Sequence, residues 1–267
     1  MCDDIVCHGK MKRMIDNESF KKILARDGRL IHLPAKGKAV FVGDTHGDFE
    51  ATEIVFHRYF QSGYILIFLG DYVDRGNYSR KNIEFLLEKK RDAPEQVFLL
   101  MGNHEAYSLL PFYPADFWEG LSLEDEQSFA GICQHLSFAA ITENGLIAVH
   151  GVPPDVSTAD KIDDIQLVSE EWHQLAWGDF VEMPGDFLGN YNGRPVYGED
   201  YFKRTMSRLK RTVLIRAHQP YIEPVIFNKR CLTVMTSRAY KPDRTIAIAD
   251  LEKTTIKTVD DLEILHI

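Results

Sequence analysis

The sequence predicts a mixed α/β domain whose strands run parallel early and hairpin-like late, and three observations carry that expectation. From Lys38 onward, strand-like and helix-like segments alternate, the mark of βαβ units around a central sheet. Glu143-Asn144-Gly145 stands between the short apolar runs 139–142 and 146–149, with Asn-Gly placed as in a tight hairpin turn. Each early apolar run also ends in a glycine followed by a polar side chain, as at the carboxyl ends of strands in open α/β sheets.

The elements follow in order. Phe20, Ile23 and Leu24 fall on one face of a helix predicted over 17–26, and a short extended piece follows at 30–33. Residues 1–37 read as a helical and extended appendage, and residues 38–267 as one domain without repeats or low-complexity linkers. Residues 39–42 form the first buried strand. A helix over 48–60 has Asp48 as its N-cap and Ala51, Ile54 and Val55 as its apolar stripe. The second strand is 64–69, the second helix 78–90 with Ile83, Leu86 and Leu87 inward, and the third strand 96–101. Helix-rich sequence at 105–136 contains the aromatic cluster Phe112, Tyr113, Phe117 and Trp118, bracketed by Pro111 and Pro114 and expected in the core. Helices at 160–171 and 199–210 and strands at 212–216, 224–227, 231–236 and 245–250 complete the chain, with the late strands expected antiparallel.

Composition narrows the function. Of 267 residues, 45% are hydrophobic and 27% charged, an ordinary globular balance. Lys and Arg number 31 against 40 Asp and Glu, a formal charge of −9 that argues against nucleic acid as a partner. No apolar run approaches the roughly 20 residues that cross a bilayer, so no membrane partner is expected. The first twenty residues are charged throughout and lack the apolar stretch of a signal peptide. Four cysteines, Cys2, Cys7, Cys133 and Cys231, make no disulfide framework, and a cytoplasmic location is expected. Cys2, Cys7 and His8 lie close together, but their spacing fits no zinc pattern.

The chemistry sits at the strand ends. The first strand delivers Gly43-Asp44-Thr45-His46-Gly47, the second Gly70-Asp71-Tyr72-Val73-Asp74-Arg75-Gly76, and the third Gly102-Asn103-His104-Glu105. Later runs lead to His150-Gly151 and to Arg216-Ala217-His218. A single Gly-Asp after a strand is ordinarily a turn, and a lone buried histidine is ordinarily core. Two aspartates, one asparagine and three histidines, each just past an apolar strand, are different, because burying them unpaired would cost several kcal/mol. Carboxylate oxygens with imidazoles suit two divalent ions, manganese first, with iron or zinc also compatible. Asp44 and His46 can hold one, Asp71 can bridge, and Asn103, His150 and His218 can complete the second. Two such ions against two carboxylates leave a local positive charge that a phosphate would seek on an otherwise acidic protein.

The strings Gly-Asp-Thr-His-Gly, Gly-Asp-Tyr-Val-Asp-Arg-Gly and Gly-Asn-His-Glu resemble those of the phosphoprotein phosphatase family of metallophosphoesterases, the serine/threonine phosphatases of type 1, type 2A and calcineurin. The resemblance runs from about Lys38 to about Asp250. It implies a four-layer α/β fold, a β-sandwich of two mixed sheets flanked by helices, with a dinuclear metal centre at one edge. It also implies the metal ligands Asp44, His46, Asp71, Asn103, His150 and His218, the set already reached from ligand chemistry. By the same resemblance His104 is the general acid, oriented by Asp74, while Arg75, Arg194 and Tyr240 bind the substrate phosphate. The expected reaction is one-step hydrolysis of a phosphoserine or phosphothreonine in a protein or peptide, by a hydroxide shared between the two ions. The sequence does not identify a regulatory subunit.

The sequence departs from the family at Met101, which stands where an arginine is usual, at Val152, which replaces a glycine, and in Thr236-Ser237-Arg238-Ala239-Tyr240. Its length suggests a compact prokaryotic or archaeal-type member. The alternative is a symmetrical dinucleoside tetraphosphate hydrolase or another small phosphoester hydrolase, although that subfamily typically lacks an aspartate at the position of Asp74. A nuclease of the wider group would carry Gly-His-x-His where this chain has Arg216-Ala217-His218-Gln219. A non-enzymatic binding module would not be expected to keep every ligand.

Overall fold

In the computed structural model, residues 17–267 are described. The cluster of Cys2, Cys7 and His8 lies outside them. The chain begins with α1 (Asn17–Ala25), β1 (Leu30–His32), β2 (Lys38–Val42), α2 (Phe49–Tyr59), β3 (Tyr64–Phe68), α3 (Ser79–Asp92) and β4 (Val97–Leu99). It continues through α4 (Asp116–Glu119), α5 (Leu123–Cys133), β5 (Ala139–Ile141), β6 (Leu146–Val149), α6 (Glu170–Trp177), β7 (Asp179–Phe180), β8 (Phe187–Tyr191) and β9 (Arg194–Tyr197). The last elements are α7 (Glu199–Arg208), β10 (Val213–Arg216), β11 (Val225–Ile226), β12 (Cys231–Thr233), β13 (Thr245–Asp250) and β14 (Glu263–His266).

Two mixed sheets form the sandwich. One is ordered β1-β5-β6-β10-β12-β11, the other β14-β13-β2-β3-β4, and a small third sheet is ordered β7-β9-β8. Side chains alternate across each strand, so a strand buried on both faces must be apolar throughout. In β2, Ala39 and Phe41 join Ile65, Ile67, Ala148, Ile215 and Ala247 in the layer between the sheets. Val40 and Val42 face the other way and pack with Val55, Phe56, Leu86 and Leu87 of the helices. Each such large apolar side chain contributes about 1.5–3 kcal/mol by leaving water. The expected four layers, helices on sheet on sheet on helices, follow directly.

Several local expectations hold. Asp48 caps α2, accepting the amide hydrogen of Ala51 at 3.4 Å. β5 and β6 pair antiparallel across the Asn-Gly turn, with Ile141 opposite Ile147 and Gly145 at φ 111°. Phe117 and Trp118 are core, as the aromatic cluster suggested, whereas Tyr113 is 84% exposed.

Three expectations change. The late strands are not uniformly antiparallel: β10 runs parallel to both β6 and β12, and from β10 onward antiparallel pairing joins β11 to β12 and β13 to β2 and β14. Between β6 and β10 the chain passes through α6 and α7, a connection long enough for the crossover that parallel entry requires. The helix expected at 160–171 divides into a 3-10 turn, Ala159–Asp164, and α6. Ser169 sets the boundary, because its Oγ caps α6 by accepting from the Trp172 amide at 3.2 Å. Finally, residues 30–32 of the stretch read as an appendage pair with β5 as an edge strand of the six-stranded sheet.

Candidate active site

β2, β3 and β4 run parallel, so the segments that follow them emerge at one edge of their sheet. β6 and β10, parallel to each other, bring His150 and His218 to the same place. A bridge between Asp44 and Met235 joins the two sheets there. The turns are tight. His46, Asp71, Asp74, Arg75 and His218 all have positive φ, between 43° and 73°. Left-handed backbone costs a non-glycine residue roughly 1 kcal/mol or more and persists only where the surroundings hold it.

Glycine is required beside them. Gly70 has φ 106°, and a Cβ on Gly102 would lie 2.2 Å from Asp71 Oδ1 and 2.5 Å from its amide nitrogen. Gly102→Ala is therefore expected to destabilise the protein by about 1–3 kcal/mol, read by denaturant unfolding. An unchanged midpoint would show that the Asp71 turn can give way.

The six ligand candidates are buried and gather in two overlapping groups around Asp71. In the first, His46 Nε2 is 3.6 Å from both Asp44 Oδ2 and Asp71 Oδ2. In the second, His150 Nε2 is 3.4 Å from Asp71 Oδ1, 3.3 Å from Asn103 Oδ1 and 3.1 Å from His218 Nδ1. His46 Nδ1 donates to the Val73 carbonyl at 2.9 Å, and His150 Nδ1 to the Leu69 carbonyl at 2.9 Å. A carbonyl can only accept, so in both neutral rings the inward Nε2 presents a lone pair. Lone pairs and carboxylate oxygens thus face one another around Asp71, an arrangement that calls for positive charge at its centre.

The proton affinities say the same. Burial opposes charging His46, but Asp44 and Asp71 outweigh it and raise its pKa to about 9. Burial likewise opposes charging His150, and Asp71 and Asp44 again prevail and raise it. Burial would raise the pKa of Asp71, yet His150, His104 and His46 hold it well below the usual carboxylate range. A pocket that draws protons onto its histidines suits divalent cations, and the imidazole, carboxylate and amide donors fit manganese, iron or zinc.

His104 stands beside this centre. Its Nδ1 donates to Asp74 Oδ2 at 2.6 Å, which leaves Nε2 facing Asp71 Oδ2 at 3.9 Å. Asp74 Oδ1 accepts from the Phe117 amide at 2.7 Å, and Trp118 Nε1 donates to the His104 carbonyl at 2.8 Å. The aromatic cluster therefore both fills the core and fixes this pair. Phe112 adds an edge contact to the His104 ring, with centroids 4.6 Å apart.

Arg75 and Arg194 approach from two sides. Arg75 Nε donates to Tyr240 Oη at 3.0 Å and its Nη1 to the Pro114 carbonyl at 2.7 Å. The Tyr240 ring stands edge-on to His46, with centroids 5.3 Å apart. Arg194 begins β9, where its Nη2 donates to Asp179 Oδ1 at 2.9 Å and touches His218 Nε2. All eleven residues singled out in the sequence thus lie at one sheet edge.

Two contributors escaped sequence reasoning. Glu105, the last residue of Gly-Asn-His-Glu, accepts from the amides of Asp71, Tyr72 and Gly102 at 2.7, 2.8 and 3.1 Å. It ties the second turn to the third. Burial, reinforced by the Asp71 charge, pushes its pKa up to about 7. Its place in the string was the available signal. Asp179, which holds Arg194, had none, because it lies between the helices expected at 160–171 and 199–210, where no element was expected. Met101 accepts a hydrogen bond at Sδ from Trp172 Nε1 at 3.3 Å, so this departure from the family pattern is absorbed in the core.

Comparison with known proteins agrees with this geometry. Residues 37–221 match the family model described as calcineurin-like phosphoesterase. The chain is 27% identical over 217 residues to the protein named "Probable serine/threonine-protein phosphatase" of Encephalitozoon cuniculi, covering 76% of this chain and 47% of that one. It is 29% identical over 221 residues to the serine/threonine-protein phosphatase 6 catalytic subunit of Drosophila melanogaster, covering 78% and 73%. The chain thus spans about half of the first relative's length and about three quarters of the second's. Among solved structures, a Saccharomyces cerevisiae protein serine/threonine phosphatase with similarity to human phosphatase PP5 superposes with a TM-score of 0.79 at 19% identity, over 94% of this chain and 87% of that one. A cold-active protein-tyrosine phosphatase of Shewanella gives 0.58 at 16% identity, over 89% and 82%. These two show the shared fold. With the matched family segment containing all the strand-end motifs up to His218, the chain belongs to the calcineurin-like phosphoesterase family.

Proposed function

We propose that the chain is a metal-dependent phosphatase that hydrolyses phosphate monoesters, with phosphoserine and phosphothreonine of proteins as its substrates. The observation that carries this reading is the convergence of the inward lone pairs around Asp71 with the His104–Asp74 pair and two arginines at one sheet edge. The names of the E. cuniculi and Drosophila relatives support the substrate class.

Asp44, His46 and Asp71 would hold one ion, and Asp71, Asn103, His150 and His218 the other. When bound, such a pair stabilises charge on phosphoryl oxygens and lowers the pKa of water toward neutrality. The chain supplies the rest. Arg75 and Arg194 present guanidinium donors to the phosphoryl oxygens, and donors fixed in advance stabilise developing charge without reorganising. Tyr240 accepts from Arg75, so its own hydroxyl hydrogen is free to be donated to the same group. Asp74 keeps a proton on His104 Nδ1 and stabilises the imidazolium, whose Nε2 proton passes to the departing alkoxide.

The test is hydrolysis of phosphoserine, phosphothreonine and phosphotyrosine peptides alongside diadenosine tetraphosphate, before and after chelation and on re-addition of manganese, iron or zinc. Turnover of phosphoserine and phosphothreonine peptides, lost on chelation and restored by metal, is the expected result. Turnover of the dinucleotide alone would make this chain a nucleotide hydrolase instead.

A further inference from the structure

One ion-pair cluster near the site belongs neither to the metal ligands nor to the groups assigned to the phosphate. Arg244 is only 4% exposed. Its Nε and Nη2 donate to Asp48 Oδ2 and Oδ1 at 2.8 and 2.6 Å, and Nη2 also reaches Glu50 Oε2 at 2.7 Å. Asp48 lies two residues after His46, and Arg244 four residues after Tyr240. The same carboxylate accepts from the Arg238 amide at 2.9 Å and caps α2. It thereby fastens both ends of the 238–244 loop, in which Arg238 and Ala239 are exposed and Tyr240 half-buried.

We propose that Arg244, gripped by Asp48, is a positioning residue that holds Tyr240 against Arg75 and so sets the affinity of the site for a phosphoryl group. This rests on the phosphatase reading above. The physical basis is the fork geometry: two parallel charge-assisted hydrogen bonds fix an orientation as well as a distance. A loop with exposed residues has little packing of its own to keep Tyr240 over His46. Without the bridge, the tyrosine leaves Arg75 Nε unpaired, and the guanidinium is held from one side only, by the Pro114 carbonyl at Nη1, so its orientation toward substrate loosens.

The experiment compares wild type, Arg244→Met, Tyr240→Phe and the double variant, each loaded with metal, by nitrophenyl phosphate kinetics and by calorimetric binding of inorganic phosphate. Arg244→Met is expected to raise KM and the phosphate dissociation constant roughly tenfold, with little change in kcat. Metal content should be unchanged. In the Tyr240→Phe background the same substitution should add less than about twofold, because both changes break one chain of contacts. A full tenfold effect in that background, a loss of metal, or no effect at all would overturn the proposal. If Arg244→Met does not fold, Asp48→Asn carries the same test, since asparagine still caps a helix but lacks the charge that grips Arg244. A wild type that turns over no phosphate ester defeats the phosphatase reading. A working wild type matched by Arg244→Met defeats only this one.

Discussion

Asp71→Asn is expected to abolish binding of both ions while leaving the protein folded. Asp71 is the one carboxylate shared by the two groups of donors, with Oδ2 near His46 and Oδ1 near His150. An asparagine keeps the shape and can still accept from the His104 amide, a bond of 2.9 Å in the structure. Its new amide hydrogens can pair with an inward imidazole lone pair, so the pocket is satisfied without a cation. The charge that would draw two divalent ions together is halved. Partners one step removed from a metal already cost 10–100-fold when mutated, so a loss of at least about 100-fold in activity is expected here. Elemental analysis beside a thermal melt checks both halves. Two ions per chain in Asp71→Asn would refute the bridging assignment.

His104→Asn should discriminate between leaving groups. With a seryl phosphate the departing alkoxide is strongly basic, and removing its proton donor should cost about 10²–10⁴-fold in kcat. Nitrophenolate leaves without a proton, so the same variant should lose far less on nitrophenyl phosphate. The geometry makes the contrast sharp, because Asp74 fixes the ring through Nδ1 at 2.6 Å and only Nε2 is left for chemistry. Asn cannot supply a titrating group, but it keeps a polar side chain beside Asp74. Equal losses on the two substrates would remove His104 from the acid role and leave it a positioning residue.

The two assignments differ in how they could be read from the chain. Ligand chemistry in the sequence needed only residue types after apolar runs: Asp44, His46, Asp71, Asn103, His150 and His218 each follow a strand that ends at the same edge. The strand-to-glycine signal is local, and parallel strands necessarily deliver their carboxyl ends together. His104, Asp74, Arg75, Arg194 and Tyr240 were readable only through the resemblance of their strings, because nothing local distinguishes Arg194 in a loop-like stretch from any surface arginine. There the structure supplies a small sheet, with Arg194 at the start of β9 and paired to Asp179.

Short apolar runs, helical periodicity and turn residues were enough for the mixed α/β class, for β2, β3, β4 and the β5–β6 hairpin, and for the cap on α2, since these depend on neighbours a few residues apart. Strand direction late in the chain did not follow from them. Whether β10 enters parallel or antiparallel depends on how α6 and α7 return across the sheet, which no short window contains. The same holds for β1, for Glu105 joining two turns, and for Arg244 gripping Asp48, residues 196 positions apart. Periodicity and side-chain chemistry are properties of adjacent residues and survive in a one-dimensional reading. Pairing between distant segments is set by the packing of the whole core, and it is this packing that turns a list of plausible ligands into one buried centre.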